Sequence, residues 1–349
     1  MTRWLEPWRP LIAMLMFALA HTSCGETPTS PTRPPTQPPP TQSLPLSISC
    51  PTAVSASSTN GSGVVVNYSA PTTAGGPSGA TPTISCTPAS GSLFPVGKTE
   101  VRCTATAATQ TAACSFEVTV TPPTPTLTRT KFLAFGDSLT AGVVAQPALS
   151  RWREGPPYFA YTLIPTASYP TKLLSLLRDR YTAQSAQLQL ANAGIAGEWA
   201  EDGAKRLPGA ISDVRPEVVL LLEGINELTA LGQPGVQRAA RAIDTMAREA
   251  RNRGARLFLA TLPPTRPVST APDLSLVQAL NAQIRTSARG ENAVVVDLFG
   301  VLAGNLTRYI GADGIHPTEA GYEKIAETFM NAIRANLEAG PSQPTHEDP

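Results

Sequence analysis

Histidine is nearly absent from this chain: His21, His316 and His346 are the only three, so imidazole chemistry has few places to reside. Charge is sparse too. Asp, Glu, Lys and Arg make up 15% of the residues, against roughly 25% in an ordinary globular chain, and the formal net charge is +1. That near-neutral balance argues against nucleic acid as a partner, because such binding needs a clustered basic surface. No Gly-rich loop closes with Lys-Ser/Thr, which leaves phosphoryl transfer without support. No CxxC pair and no evident metal cluster occur, so no metal or other cofactor is expected. The apolar run near the N-terminus, Leu11–Ala20, has ten residues, too few to span a bilayer as a helix, which takes about 20.

What is plentiful is proline, at 35 of 349 residues, where about 5% is usual. The excess is local. Residues 25–45, including Pro38-Pro39-Pro40, are nearly all Pro, Thr, Ser and Gln. Such a stretch cannot bury a core and reads as a semi-rigid spacer. A second spacer, 122–130, divides everything before it from everything after. Residues 1–24 read as an export signal, with Arg3 and Arg9 flanking a polar start ahead of the apolar run. The Cys24 that follows resembles the lipidated cysteine of a bacterial lipoprotein signal, although His21 stands where that pattern has an aliphatic residue. Lipidation would anchor the protein to a membrane facing the periplasm or cell surface. Cleavage after Ala20 is the competing reading and would leave a secreted soluble protein.

Between the spacers, residues 46–121 carry short β-branched runs at Val64–Val66, Thr81–Ser85, Thr99–Thr104 and Ser115–Val120, bounded by Gly, Pro, Asn and Ser. That pattern predicts a small all-β sandwich. Cys50, Cys86, Cys103 and Cys114 all fall within it. With Cys24 set aside, an even number in an exported module predicts two disulfides, and three pairings stay open. Ser49-Cys50-Pro51, Phe94-Pro95-Val96-Gly97, Val101–Thr106 and Cys114-Ser115-Phe116 together resemble the hyalin-repeat (HYR) family, which implies an Ig-like module linked to adhesion, with no catalytic residues and a surface ligand that the sequence does not name.

From residue 131 to 338 apolar strands alternate with helices. The strand candidates are Phe132–Phe135, Gln187–Ala191, Val218–Leu222, Leu257–Thr261 and Val294–Asp297. Val236, Ala240, Ile243, Ala247 and Ala250 form one helical stripe closed by Gly254. Asp273 caps a helix bearing Val277, Leu280 and Ile284, and Tyr322, Ile325, Phe329 and Ile333 give the last helix its face. The expected fold is α/β, a doubly wound, flavodoxin-like parallel sheet of about five strands flanked by helices. Residues 339–349 are a polar tail.

The polar motifs fall where strands end. Phe132–Phe135 runs into Gly136-Asp137-Ser138-Leu139, which would set a hydroxyl at the sheet's carboxyl edge. His21 lies in the export signal and His346 in the tail, so His316 is the one imidazole available to a folded domain. Asp313 stands three residues before it, where a turn lets a carboxylate reach the ring, fix its tautomer and support its charge. Asn192-Ala193-Gly194 and Gly224-Ile225-Asn226-Glu227 follow two further strands and supply uncharged donors of the kind an oxyanion hole needs. Taken singly, each is an ordinary turn.

In order along the chain, Ser138 in GDSL, Gly194 in NxGxxG, Asn226 in GxNE and His316 in DxxHP resemble the four blocks of the SGNH (GDSL-type) hydrolase family over about 131–337. The resemblance implies a serine carboxylester hydrolase. Ser138 is then the nucleophile, His316 the base and Asp313 its orienter, with the N–H groups of Ser138 and Gly194 and the Asn226 amide as oxyanion hole. Lipid acyl esters, thioesters and O-acetylated carbohydrate all fit such a site. Glu227 departs from the family, which often has Asp there. The stretch Val143–Ser168, with Trp152, Tyr158, Phe159 and Tyr161, is either a substrate-contacting insertion or a packed surface loop. The alternative to an enzyme is an inactive adhesion or carbohydrate-binding lipoprotein, which would hydrolyse no chromogenic ester.

Overall fold

A computed structural model describes residues 44–59, 61–147 and 159–339. Cys24, Trp152 and Tyr158 lie outside the described residues. The N-terminal module is all-β. Its strands are β1 (Leu44–Ser49), β2 (Val54–Ser57), β3 (Val64–Val66), β4 (Thr72–Gly76), β5 (Thr83–Thr87), β6 (Ser92–Phe94), β7 (Gly97–Ala107) and β8 (Gln110–Thr121). They form a four-stranded sheet in the order β2-β8-β7-β5 and two ribbons, β1-β4 and β3-β6. Alternation along β7 and β8 buries Val101, Cys103, Phe116, Val118 and Val120 against Val66 and Phe94. Bridges join Cys50 to Cys114 and Cys86 to Cys103. The first closes a loop of 64 positions, a constraint on the unfolded chain of roughly 4 kcal/mol in the loop-entropy account.

The second spacer is held at its C-terminal end. Leu127 is buried, its N–H and C=O bracketed by the Gln184 side-chain amide, while the Thr128 N–H donates to the Leu337 carbonyl and the Ala339 N–H to the Thr126 carbonyl. The α/β domain thus gathers in residues from Thr126 onward.

Its parallel strands are β9 (Lys131–Gly136), β12 (Gln189–Gly194), β13 (Val218–Leu222), β14 (Arg256–Ala260) and β15 (Val294–Val296), in the order β12-β9-β13-β14-β15. Counted within the domain this is 2-1-3-4-5, the flavodoxin-like arrangement, and the crossover direction reverses at β9, whose carboxyl end borders that of β13. Both faces are covered, so β13 is apolar and buried at all five positions. The covering helices are α2 (Tyr169–Arg180), α3 (Ala200–Val214), α4 (Ile225–Leu231), α5 (Gln233–Asn252), α6 (Leu274–Gly290), α7 (Leu298–Ala303), α8 (Leu306–Tyr309) and α9 (Glu319–Leu337); a short α1 (Ser138–Ala141) follows β9. Asp273 caps α6 by accepting the Ser275 N–H at 2.7 Å.

Two local differences from the sequence reading bear on the site. The strand expected over Gln187–Ala191 is shifted towards the C-terminus: Asn192, Ala193 and Gly194 lie inside β12, in register with Ala134, Phe135 and Gly136. Parallel pairing to β9 overrides the turn preference of Asn and Gly. The stretch from Val143 holds an antiparallel ribbon, β10 (Val143–Pro147) with β11 (Phe159–Leu163), which pairs Val143 with Leu163 and Ala145 with Tyr161.

Candidate active site

Gly136 ends β9 at φ +157°, and a Cβ there would lie 1.9 Å from the carbonyl oxygen of Leu222 on β13. Only glycine lets the two strand ends approach so closely. Asp137 then caps α1, its Oδ1 accepting the Leu139 N–H at 2.9 Å, and Ser138 opens that helix with 5% of its surface exposed.

His316 arrives from the other side, on the loop before α9. Its Nε2 lies 3.0 Å from Ser138 Oγ, and its Nδ1 lies 2.6 Å from Asp313 Oδ2. Asp313 is fully buried, and its Oδ1 accepts the N–H groups of Ile315 and His316. With Asp313 as a carboxylate, Nδ1 carries the imidazole proton and Nε2 accepts from the serine hydroxyl. Such a row can draw a proton off a hydroxyl as it attacks a carbonyl carbon. The loop is braced by Arg266, which donates to the carbonyls of Ile310 and Gly311, and by the Gly311 N–H donating to the His316 carbonyl at 2.7 Å.

Asn226 meets the same site from α4; Gly194, the expected partner donor, lies inside β12 and does not line the cleft, whereas Gly197 of the same block does. A Cβ on Gly194 would fall 2.2 Å from the backbone nitrogen of Ala141, so this glycine is what lets α1 lie against β12. Its N–H donates to Asn192 Oδ1 at 3.0 Å, while the Asn192 amide donates to the Thr140 carbonyl. The Asn226 amide donates one N–H to the Glu198 carbonyl at 2.7 Å, and a primary amide has a second. Asn226 lines an open cleft of about 490 Å³ together with Ser138, His316, Thr229 and Thr270. Its apolar wall is Val143, Tyr161, Leu163 and Ile315. Ribbon register explains that wall: Val143, Ala145, Tyr161 and Leu163 share one face. The Tyr161 ring meets the His316 ring edge-on at 5.3 Å between centroids.

Glu227 is also resolved by geometry. It is buried, and its Oε1 accepts the Ala200 N–H at the start of α3 at 2.6 Å, joining the segment after β12 to α4. Beneath the site lie two more buried carboxyls. Burial pushes Asp137 up to about 7, against the Leu139 N–H and the nearby His316. Burial likewise pushes Glu223 well above the ordinary range, with Asp137, Glu198 and Glu227 adding to it against Arg206. Both oxygens of Glu223 lack a hydrogen-bond partner among the described residues. A carboxyl raised above its ordinary 4.5 contributes stability that is complete below that value and is lost as pH rises through the folded-state value. Glu223→Gln is therefore expected to melt with the wild type near pH 4 and above it at pH 8, by roughly 2–4 °C for each kcal/mol recovered. Calorimetry across pH checks this, and a gap that does not widen with pH contradicts it.

Residues 134–324, more than half of the chain, match the model of the GDSL-like lipase/acylhydrolase family, and the chain belongs to that family. It is an ester-hydrolysing enzyme. Residues 39–120 match the HYR domain. Esterase TesA of Pseudomonas aeruginosa is 27% identical over 165 residues, covering 47% of this chain and 79% of that protein. Among solved structures, a lipase/acylhydrolase from Enterococcus faecalis aligns with 61% of this chain and 99% of its own, at TM-score 0.47 and 23% identity. The acetylxylan esterase Axe2 from Geobacillus stearothermophilus aligns with 58% and 94%, at 0.45 and 18%. The two disulfides are consistent with an extracellular protein. Among the described residues no helix is long and apolar enough to cross a membrane.

Ser138, Asp313, His316 and Asn226 thus come together, and Tyr161 faces the cleft, as the substrate-contacting reading of its stretch had it; two neighbours, Arg206 and Glu223, were given no role by sequence reasoning. Glu223 had a signal, a charge directly after five buried apolar residues. Arg206, on an ordinary amphipathic helix, had none.

Proposed function

We propose that the chain is a serine carboxylester hydrolase working through an acyl-enzyme. The observation that carries this is the unbroken row from Ser138 Oγ through His316 to buried Asp313, at 3.0 and 2.6 Å. Ser138 Oγ attacks the ester carbonyl carbon while His316 Nε2 takes its proton. The carbonyl electron pair moves onto oxygen, where the Ser138 N–H and the free Asn226 N–H receive it; the Gly194 N–H expected there is engaged by Asn192 Oδ1. Collapse expels the alcohol, or thiol, with the proton returned by His316, and water then releases the acid by the same steps in reverse roles.

Lipid acyl esters, thioesters and O-acetylated carbohydrate all suit this chemistry, and the wall of Val143, Tyr161, Leu163 and Ile315 favours an apolar acyl chain. Tyr161 and Leu163 are each 56% exposed, an apolar surface that a substrate chain would cover. The test is a hydrolysis profile of the purified chain across acyl lengths and acetylated sugars. From acetyl to hexanoyl, kcat/KM is expected to rise roughly two- to fourfold per methylene, as burial of about 0.8 kcal/mol each implies. A flat profile, or preference for an acetylated sugar, would reverse the substrate assignment without touching the mechanism.

The division into export signal 1–24, spacer 25–45, β-module 46–121, spacer 122–130 and hydrolase domain 131–338 belongs to the same proposal, with action outside the cytoplasm. Lipidation at Cys24 would supply the several chains that stable membrane anchoring needs. Cys24→Ser should then move the protein from the detergent-extracted to the soluble fraction, and an unchanged distribution counts against the anchor.

A further inference from the structure

One guanidinium reaches both sides of the turn that follows β12. Arg206, on α3, donates from Nε to Glu198 Oε1 at 2.7 Å, from one terminal nitrogen to Glu198 Oε2 at 2.5 Å, and from that nitrogen to the carbonyl of Ala193 at 2.9 Å. Its flat face lies over the Phe135 ring, 4.0 Å from the centroid. Phe135 belongs to β9, the strand that ends at Gly136 and delivers Ser138.

The bond to the Ala193 carbonyl ties the guanidinium to the end of β12, where the Gly194 N–H is already engaged by Asn192 Oδ1 at 3.0 Å. The other anchor acts on a proposed oxyanion donor. The Glu198 carboxylate is gripped by Arg206, while the Glu198 backbone carbonyl accepts one N–H of Asn226 at 2.7 Å, which turns the remaining N–H of that amide. The Glu198 side chain is 6% exposed and that of Arg206 27%, so the pair is partly withdrawn from solvent and its geometry is more constrained than a surface ion pair. The planar fork is what permits a two-sided grip; a lysine ammonium is a single point.

We infer that Arg206 is the positioning residue of the oxyanion hole, holding Glu198 and, through the Glu198 carbonyl, the Asn226 amide in the geometry that receives a developing negative oxygen. It touches no substrate. This rests on the serine-hydrolase reading above and adds to it a residue outside the four sequence blocks.

The experiment compares Arg206→Lys and Arg206→Met with the wild-type full-length chain on a soluble ester. Active-site titration with an organophosphorus ester counts competent sites. A second probe is an alkyl trifluoromethyl ketone: Ser138 Oγ bonds to its carbonyl carbon, the carbonyl electron pair becomes the oxyanion, and the serine proton goes to His316. Misplacing donors by a fraction of an ångström up to 1 Å is expected to lower kcat per site roughly 10–100-fold in Arg206→Met, with KM within about twofold. The ketone's inhibition constant should rise by the same factor, because it resembles the transition state. Arg206→Lys keeps the charge and should fall between. A purely structural arginine would lower the number of titrated sites and leave kcat per site and the ketone constant alone, which overturns the inference. A rise in KM at unchanged kcat overturns it as well. Should Arg206→Met fail to fold, Arg206→Lys and Glu198→Gln are compared with the wild type in its place, and the same losses in kcat per site and ketone binding decide the matter. Failure of the underlying reading looks different: Ser138→Ala would stay active, or the wild type would form no ketone adduct.

Discussion

Ser138→Ala is expected to lower kcat on a soluble ester by at least roughly 10⁴-fold while KM changes little, the behaviour of a residue whose bond to substrate exists only along the reaction path. The reason lies in what else could replace the hydroxyl. Ser138 Oγ is the hydroxyl at Nε2 of His316, 3.0 Å away. Thr140 is buried and turned towards the Leu222 carbonyl. Thr270 lines the cleft, but its hydroxyl donates to the Asp313 carbonyl at 2.8 Å. Neither can take over without rebuilding the segment it stands on. Serine to alanine removes one atom at a site with 5% exposure, so folding should survive and calorimetry should show it. The double variant Ser138→Ala/His316→Ala should be little worse than either single one, because base and nucleophile act as a unit. Residual turnover above about 1% of wild type in a preparation free of contaminating esterase would remove Ser138 from the mechanism, since loss of a nucleophile costs orders of magnitude more.

Parallel strands are legible because burial on both faces leaves no alternation: Val218–Leu222 reads from sequence at its observed bounds. Helix faces are legible for the same reason in another period, and Tyr322, Ile325, Phe329 and Ile333 are all fully buried. Less legible are segments whose stability comes from a partner. Asn192–Gly194 looks like a turn and is a strand, because β9 pairs with it residue by residue. β1 and β4, with their Pro, Ser and Gly, carry little strand preference, and each exists through the other. The stretch around Tyr161 admits two readings from sequence, and cross-strand register with Val143–Pro147 is what turns its apolar face to the cleft. At the site, scarcity is the signal. With one imidazole available to the folded domain, His316 can be singled out although 178 positions separate it from Ser138. No such scarcity marks Arg206 in a chain with 27 basic residues, so its role emerges only when the elements that surround it are brought together.

Asn226→Ala separates an oxyanion donor from a turn residue. The side chain has a structural duty already visible, its bond to the Glu198 carbonyl at 2.7 Å, and a residue confined to that duty would cost stability when truncated and leave turnover per folded molecule alone. Asn226 also lines the cleft shared with Ser138 and His316, where its second N–H is the proposed donor and charge on the substrate oxygen exists only after attack. Loss of a donor to that oxygen is felt most in the transition state, so kcat is expected to fall by about 10²–10³-fold with KM moving little. The Gly194 N–H does not make up the loss, because it is engaged by Asn192 Oδ1 at 3.0 Å inside β12. Asn226→Asp is the sharper companion. It keeps the size and removes both donors, adding an acceptor that repels the developing charge, and its kcat should fall below that of the alanine variant. Turnover is measured per titrated site, with melting temperature followed in parallel. An alanine variant that keeps more than about a third of wild-type kcat, against the hundredfold or greater loss expected for such a donor, leaves Asn226 as the residue that ties α4 to Glu198 and nothing more.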